Sequence, residues 1–218
     1  MVGAPREAAV PKVLSEAVPD AVPEAVGDAV GVRRLDHVAL AVRDLDRAWA
    51  MFGETLGGRF VTGGDNDETG IRLLHLHLGG FKIELMQPLR ADSLVSHTLD
   101  RRGEGMHHVT FVVDDLGTTV DVLPVAGYPL TGTDLSNPVW RETFVRPSAT
   151  QGALVQFVDT TRDWSQGVDG VDLDTVLRGG AVFRGAVPCV RRAAQRPADA
   201  VRAAFDDVPQ RIEGVSHD

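Results

Sequence analysis

The phrase RRLDHVALAVRDLD at residues 33–46 returns as GMHHVTFVVDDL at residues 105–116. His108 follows His37 by 71 residues (108 − 37), and a second echo, KIELMQP against LVQFVDT, sets Gln156 72 residues (156 − 84) after Glu84. Two copies of one supersecondary plan have to bury their apolar faces against each other or on one common sheet, which restricts the chain more than its composition does. Each copy opens on an alternating strand, His37 to Val42 and His108 to Val113. Each then passes an Asp-Leu helix start and closes with further strands. In the first copy Ala48, Trp49, Phe52 and Leu56 form an apolar helical stripe, ended by Gly57-Gly58. The second helix is interrupted by Pro124 and ends at Gly127. IRLLHLHLGGFKIELMQP reads as a hairpin around Gly79-Gly80, and RETFVRPSATQGALVQFVD as its longer-looped counterpart. The class expected is α+β: two tandem βαβββ modules, at 33–90 and 104–160, forming a cupped, partly closed sheet with helices on the outside.

Strand alternation then sorts residues by face, because the bulkier apolar side chains of a covered sheet lie under its helix. Val38, Leu40 and Val42 take that face in the first strand, leaving His37, Ala39 and Ala41 on the other. Val109, Phe111 and Val113 do the same in the repeat, so His108 is the partner of His37, and His107 is not. Ile83 and Leu85 lie under the helix while Lys82, Glu84 and Met86 look the other way, and Val155 and Phe157 oppose Gln156. Two imidazoles, a carboxylate and an amide are thereby expected on one concave face at pseudo-symmetric positions. Buried groups of this kind are costly unless partnered. Two nitrogen and two oxygen donors suit a divalent first-row ion, with open positions left for a substrate. His75 and His77 in LLHLHLGG are expected on the same face, where imidazoles can serve as acid and base near neutral pH.

Composition narrows the partners. With a net charge of −9, attraction to nucleic acid or to an anionic membrane is disfavoured, and a small-molecule ligand is expected. Cys189, the single cysteine, rules out an internal disulfide or a multi-thiolate metal site, so a metal has to be held by His, Glu, Asp or Gln. Apolar runs are far too short to span a bilayer, and no signal-peptide pattern opens the chain; the expected location is cytoplasmic. Residues 1–32, with their Ala-Val units broken by Pro19, Pro23 and Gly27, are expected to be mostly disordered. Beyond Asp159 the strand signal stops, and residues 161–218 read as an extension of unreadable role, with ADAVRAAF a short amphipathic helix within it.

DHVALAVRDLDRAWAMFGETLG, KIELMQPLRADSLVSHTLDRRGEGMHHVTFVVDDL and FVRPSATQGALVQF resemble the vicinal oxygen chelate superfamily of paired βαβββ modules. Within it they look most like the methylmalonyl-CoA epimerases, with glyoxalase I more distant, over about residues 33–160. The resemblance implies one divalent ion per chain (Co, Mn, Ni, Zn, Fe or Mg), with His37, Glu84, His108 and Gln156 as ligands. It implies a metal-dependent epimerase that removes and returns a proton next to a carbonyl, on a 2-substituted acyl thioester such as methylmalonyl-CoA, and a homodimer. Two departures stand out. The last ligand, commonly Glu, is Gln156, whose amide oxygen can bind an ion but cannot act as a base. The third strand of the first module, where some epimerases carry a Glu taken as the base, has Leu73. Glu84, His75 and His77 are the remaining candidates for proton transfer.

Other functions fit parts of the pattern. A glyoxalase I-like lyase is one alternative. A ring-cleaving or other iron-dependent dioxygenase of the same superfamily is another, which needs two His and one carboxylate with open positions, its carboxylate normally in the last strand where Gln156 sits. A metal-free drug-binding protein works by shape and aromatic stacking, and an aromatic content of 6% offers little stacking surface. No phosphate-cradling Gly-rich loop is present, and Lys82 and the scattered arginines do not define a CoA pocket.

Overall fold

The computed structural model describes residues 24–161 and 166–191. Its first module runs β1 (Val32–Ala41), α2 (Leu45–Trp49) continuing into a π-helical segment (Ala50–Thr55), β2 (Arg59–Asn66), β3 (Ile71–Leu78) and β4 (Phe81–Pro88), with α1 (Glu24–Val30) ahead of it. A connecting helix, α3 (Leu94–Arg102), leads to the second: β5 (Gly105–Val113), α4 (Leu116–Val125), β6 (Leu130–Asp134), β7 (Arg141–Val145) and β8 (Leu154–Asp159). The repeated Asp-Leu phrase starts the helices by capping: Asp44 accepts from the Arg47 backbone N–H at 3.0 Å, and Asp115 from that of Thr118 at 2.7 Å. Pro124 lies in the last turn of α4 and does not break it.

Among the described residues all strands, including β9 (Ala181–Arg184) and β10 (Val187–Val190) beyond the second module, join one curled sheet in the order β10-β9-β2-β3-β4-β1-β5-β8-β7-β6. The modules meet where β1 pairs antiparallel with β5, and each opening strand also pairs in parallel with the closing strand of its own module, β4 or β8. This crossing of parallel and antiparallel pairings brings the four predicted donors to the centre of the sheet.

The outer face is packed as alternation predicts. Val42, Leu45, Leu74, Leu76 and Leu85 form one core with Ala48, Trp49 and Phe52; Leu56, expected in that stripe, is instead 47% exposed because it lies past the end of the helix. Val113, Leu116, Leu123 and Val145 form the other core. Part of the concave face is closed by α3, whose Val95 and Leu99 pack on Ala39, Ala41 and Met86.

Both ends differ from expectation. Within the stretch expected to be disordered, Glu24–Val30 is helical, and Val26 and Val30 complete the core around α4; residues 1–23 lie outside the described residues. Beyond Asp159, α5 (Leu173–Leu177), β9 (Ala181–Arg184) and β10 (Val187–Val190) extend the sheet past β2. Gly63 and Gly64 make room for them: a Cβ on Gly63 would sit 2.9 Å from Val176 of α5, and one on Gly64 3.2 Å from the backbone of β9. Arg191, read as part of the tail, is buried against Asp65 and Asp67. The ADAVRAAF segment lies outside the described residues.

Candidate metal centre

His37, Glu84, His108 and Gln156 are all buried, on β1, β4, β5 and β8 respectively. The first three each offer an atom within 4.8 Å of the others. Glu84 Oε2 lies 3.7 Å from His37 Nε2 and 3.8 Å from His108 Nε2. Its other oxygen accepts a 2.7 Å hydrogen bond from His75 Nε2, across the register pair His75↔Glu84. His75 thus joins the cluster. His77, two residues further along β3, makes no hydrogen bond or ion pair with any of these groups, and its Nε2 is buried without a partner. His107 touches the cluster only from outside, through Nδ1 at 2.9 Å from His108 Nδ1.

Two participants, Asp36 and Glu142, escape the alternation rule or lie outside it, while Thr110 shares the parity of His108 on β5. Leu35 pairs with Phe111 and His37 with Thr110, so Asp36 is an extra residue, a β-bulge. A bulge disturbs the two-face alternation, and here neighbouring side chains meet: Asp36 Oδ2 accepts from His37 Nδ1 at 2.8 Å. Asp36 also accepts from Arg34 at 2.5 Å and contacts the buried Lys82 ammonium. Lys82 is therefore committed inside the protein and is not a surface cation for a substrate. Thr110 Oγ1 lies 3.0 Å from His37 Nε2 and donates to Gln156 Oε1 at 2.5 Å. Finally, Glu142 on β7 accepts from Gln156 Nε2 at 2.6 Å and from Trp140 Nε1 at 2.7 Å. The Trp140 ring is stacked toward His37 with centroids 6.5 Å apart.

The electrostatics favour a ligand set. Burial opposes ionisation of Glu84, yet the surrounding His37, His75 and His108 hold it well below the ordinary carboxylate range. Burial pushes His108 down to about 3 and lowers His75 despite its bond to Glu84. The site therefore combines an anionic carboxylate with a neutral His108 imidazole, the protonation states that metal ligation requires. Asp36 is held far below the usual carboxylate range: burial raises it, and the His37 hydrogen bond and the Lys82 charge outweigh that.

Proton counting tests whether a cation fits. Asp36 can only accept, so His37 Nδ1 carries the proton and, in the neutral ring, Nε2 faces inward as an acceptor. A carboxylate behind the distal nitrogen is the usual way to orient a metal-binding imidazole. Thr110 has a single proton to place between two acceptors, His37 Nε2 and Gln156 Oε1. Glu84 Oε2 and His108 Nε2 face the same space. The cluster is rich in lone pairs and short of protons, and a divalent ion would satisfy it. His37, Glu84 and His108 can hold such an ion, and Gln156 Oε1 lies beside them.

The Glyoxalase/Bleomycin resistance protein/Dioxygenase superfamily matches residues 36–143. The chain is 32% identical over 132 residues to the ethylmalonyl-CoA/methylmalonyl-CoA epimerase of Cereibacter sphaeroides, covering 57% of this chain and 96% of that protein. It is 28% identical over 138 residues to the uncharacterized protein YqjC of Bacillus subtilis, covering 61% and 96%. Among solved structures, methylmalonyl-CoA epimerase from Mycobacterium tuberculosis superposes with a TM-score of 0.55 at 32% identity, over 60% of this chain and 90% of that one. The family model, the epimerase relatives and the two-module sheet agree: the chain belongs to the glyoxalase/bleomycin resistance protein/dioxygenase superfamily and is an enzyme of the isomerase class, an epimerase.

Proposed function

We propose that the protein is a divalent-metal-dependent epimerase of 2-substituted acyl thioesters of the methylmalonyl-CoA type. The observation that carries this reading is the convergence of His37, Glu84 and His108 in a buried, proton-poor cluster, and the ethylmalonyl-CoA/methylmalonyl-CoA epimerase relative supports the substrate class. His37, Glu84, His108 and Gln156 would hold one ion per chain. When bound, the ion supplies Lewis-acid polarisation of two neighbouring substrate oxygens, which acidifies the carbon between carbonyl groups. Asp36 fixes the tautomer and direction of His37. Glu84 divides its oxygens between the ligand cluster and His75, so Glu84 with His75 is the proton-handling pair on the first module, with His75 Nε2 holding the proton. His77, without a bond to that pair, lines the cleft.

The test is α-proton exchange from methylmalonyl-CoA in D2O, followed with the protein as purified, after chelation, and after return of Co²⁺ or Mn²⁺. Exchange with inversion that disappears on chelation and returns with the ion is expected. Exchange that survives complete metal removal, or no exchange on any 2-substituted malonyl-type thioester, refutes the reading. The His-His-carboxylate triad also suits a non-haem iron dioxygenase; oxygen consumption by the Fe²⁺ form with a catechol would favour that alternative. The proposal includes a homodimer, checked by sedimentation at micromolar concentration.

A further inference from the structure

Three carboxylates line the centre just described, and they are not equally engaged. Asp36 is occupied by Arg34, His37 and Lys82. Glu84 is occupied on one oxygen by His75 and faces the two ligand imidazoles with the other. Glu142 takes both of its hydrogen bonds, from Trp140 and Gln156, on Oε2. Its Oε1 has no hydrogen-bond partner among the described residues. Glu142 is thus a carboxylate held from one side, with an acceptor oxygen to spare.

Its place in the duplication is informative. Across β3 and β4, His75 faces Glu84 and Leu73 faces Met86. Across β7 and β8, Phe144 faces Gln156 and Glu142 faces Val158. Superimposing the ladders, Glu84 on Gln156, puts Glu142 on the image of Leu73. In the first module that place is apolar and packs with Met86, Val95 and Leu99 beneath α3. The second module has an acid there instead. Ligand and acid are thus distributed in opposite senses: the first module supplies a carboxylate ligand and an apolar side chain, the second an amide ligand and a carboxylate. Epimerisation requires proton removal at one face of the reacting carbon and delivery at the other, and a pseudo-two-fold site with proton-handling groups on opposed modules meets that requirement.

We propose that Glu142 is a catalytic residue, the proton-transfer group of the second module acting opposite the His75–Glu84 pair; this rests on the epimerase reading above. In the forward direction the α C–H bond breaks and an O–H bond forms on Glu142 Oε1. The electron pair of the C–H bond moves into the adjoining carbonyl to give the enolate. His75, carrying a second proton as the imidazolium beside the Glu84 carboxylate for this step, then gives its Nε2–H proton to the opposite face, re-forming a C–H bond with inversion and returning to the neutral imidazole. Proton exchange with solvent restores Glu142 and His75, and no electrons are gained or lost. The reverse reaction uses the same groups in exchanged roles. Trp140 and Gln156 act as positioning residues that hold the carboxylate.

The test compares the holoenzyme with Glu142→Gln and Glu142→Asp. Binding of Mn²⁺ alone is measured by titration calorimetry, and α-proton exchange in D2O is measured separately on (R)- and (S)-methylmalonyl-CoA. Glutamine retains an oxygen to accept from Trp140 and Gln156, so Mn²⁺ binding is expected to remain as in the wild type. Exchange from one epimer should fall by about 10²-fold or more while the other epimer continues to exchange; Glu142→Asp should retain intermediate exchange from the affected epimer and carries the test if the Gln variant does not fold. Loss from both epimers with Mn²⁺ binding intact would still place proton transfer on Glu142. Wild-type exchange from both epimers overturns the proposal. So does a parallel fall in both rates together with Mn²⁺ binding weakened by more than about tenfold, which would reduce Glu142 to a support for Gln156. If the wild-type holoenzyme exchanges neither epimer, the epimerase reading itself fails, and Glu142 falls with it.

Discussion

Replacing Asp36 with asparagine removes one charge from a pocket in which that charge answers three neighbours. Asp36 is 1% exposed at its side chain and Lys82 6%, whereas Arg34, at 48%, can return to solvent. The cost of Asp36→Asn therefore falls on Lys82, left as a buried ammonium without its counter-charge. Breaking a buried pair by removing one partner costs about 3–5 kcal/mol, and because Asn still accepts a hydrogen bond we place this change near the lower end, about 3 kcal/mol. The same substitution weakens the acceptor behind His37 Nδ1 and should reduce metal affinity by about 10- to 100-fold. Guanidinium unfolding with an unchanged m-value measures the first effect, and metal titration calorimetry the second. Lys82→Met added to Asp36→Asn should recover a large part of the stability, since the orphaned charge is then gone, but not the metal affinity. The pH dependence has a defined sign. The Asp36 pKa is depressed on folding, so its contribution is present above the unfolded value of about 3.9 and is lost progressively as pH falls below it; the variant should lack that acid sensitivity. A loss below about 1 kcal/mol, or no recovery from Lys82→Met, would refute the assignment of Asp36 and Lys82 as a coupled buried pair.

Other substitutions separate the remaining roles. His37→Ala and His108→Ala should each abolish most metal binding in calorimetry, while His107→Ala should leave it largely intact; equal loss from all three would contradict the face assignment. Glu84→Gln should weaken the ion and cut exchange severely, since the ligand set then has no carboxylate, whereas Gln156→Glu should bind metal at least as tightly. His75→Gln should retain metal and lower α-proton exchange by about 10²-fold or more, whereas His77→Gln should leave the rate near wild type; the opposite ranking would move proton transfer along β3. Gly63→Ala places a Cβ 2.4 Å from the Leu73 carbonyl oxygen and 2.9 Å from Val176. It should therefore cost about 1–3 kcal/mol in thermal or denaturant unfolding, and no loss would mean that α5 does not seat on β2 as described.

The duplicated phrase and the period-two alternation were enough to place His37, Glu84, His108 and Gln156 on one face, and to prefer His108 over His107. The reason is local: in a strand, residue parity alone determines the face, and a repeat carries that parity from one module to the next. The Asp-Leu caps were legible on the same ground, because an Asp side chain reaches only the first turn that follows it. The helix at Glu24–Val30 and the strands at Ala181–Arg184 and Val187–Val190 were not. Their own patterns are weak, and they are ordered by surfaces the rest of the chain provides: the core around α4 for the helix, and the glycine-lined edge of β2 for α5 and β9.

Within the site, tertiary structure decided what parity could not. Asp36 is next to His37 and by strict alternation belongs on the other face; a bulge that depends on the pairing of β1 with β5 brings the two side chains together. Lys82 has the composition of a surface cation, and only the approach of β1 to β4 makes it the buried partner of Asp36. Glu142 had no partner in the sequence echo, because its counterpart is Leu73, and it meets Gln156 only because β7 and β8 pair in the register that sets Phe144 opposite that ligand. Sequence alone therefore determined which residues could form the inner ring of donors, since side-chain direction repeats along a strand. The tertiary structure decided which charges stand behind that ring and where its protons lie, since those depend on distances between strands that no local periodicity encodes.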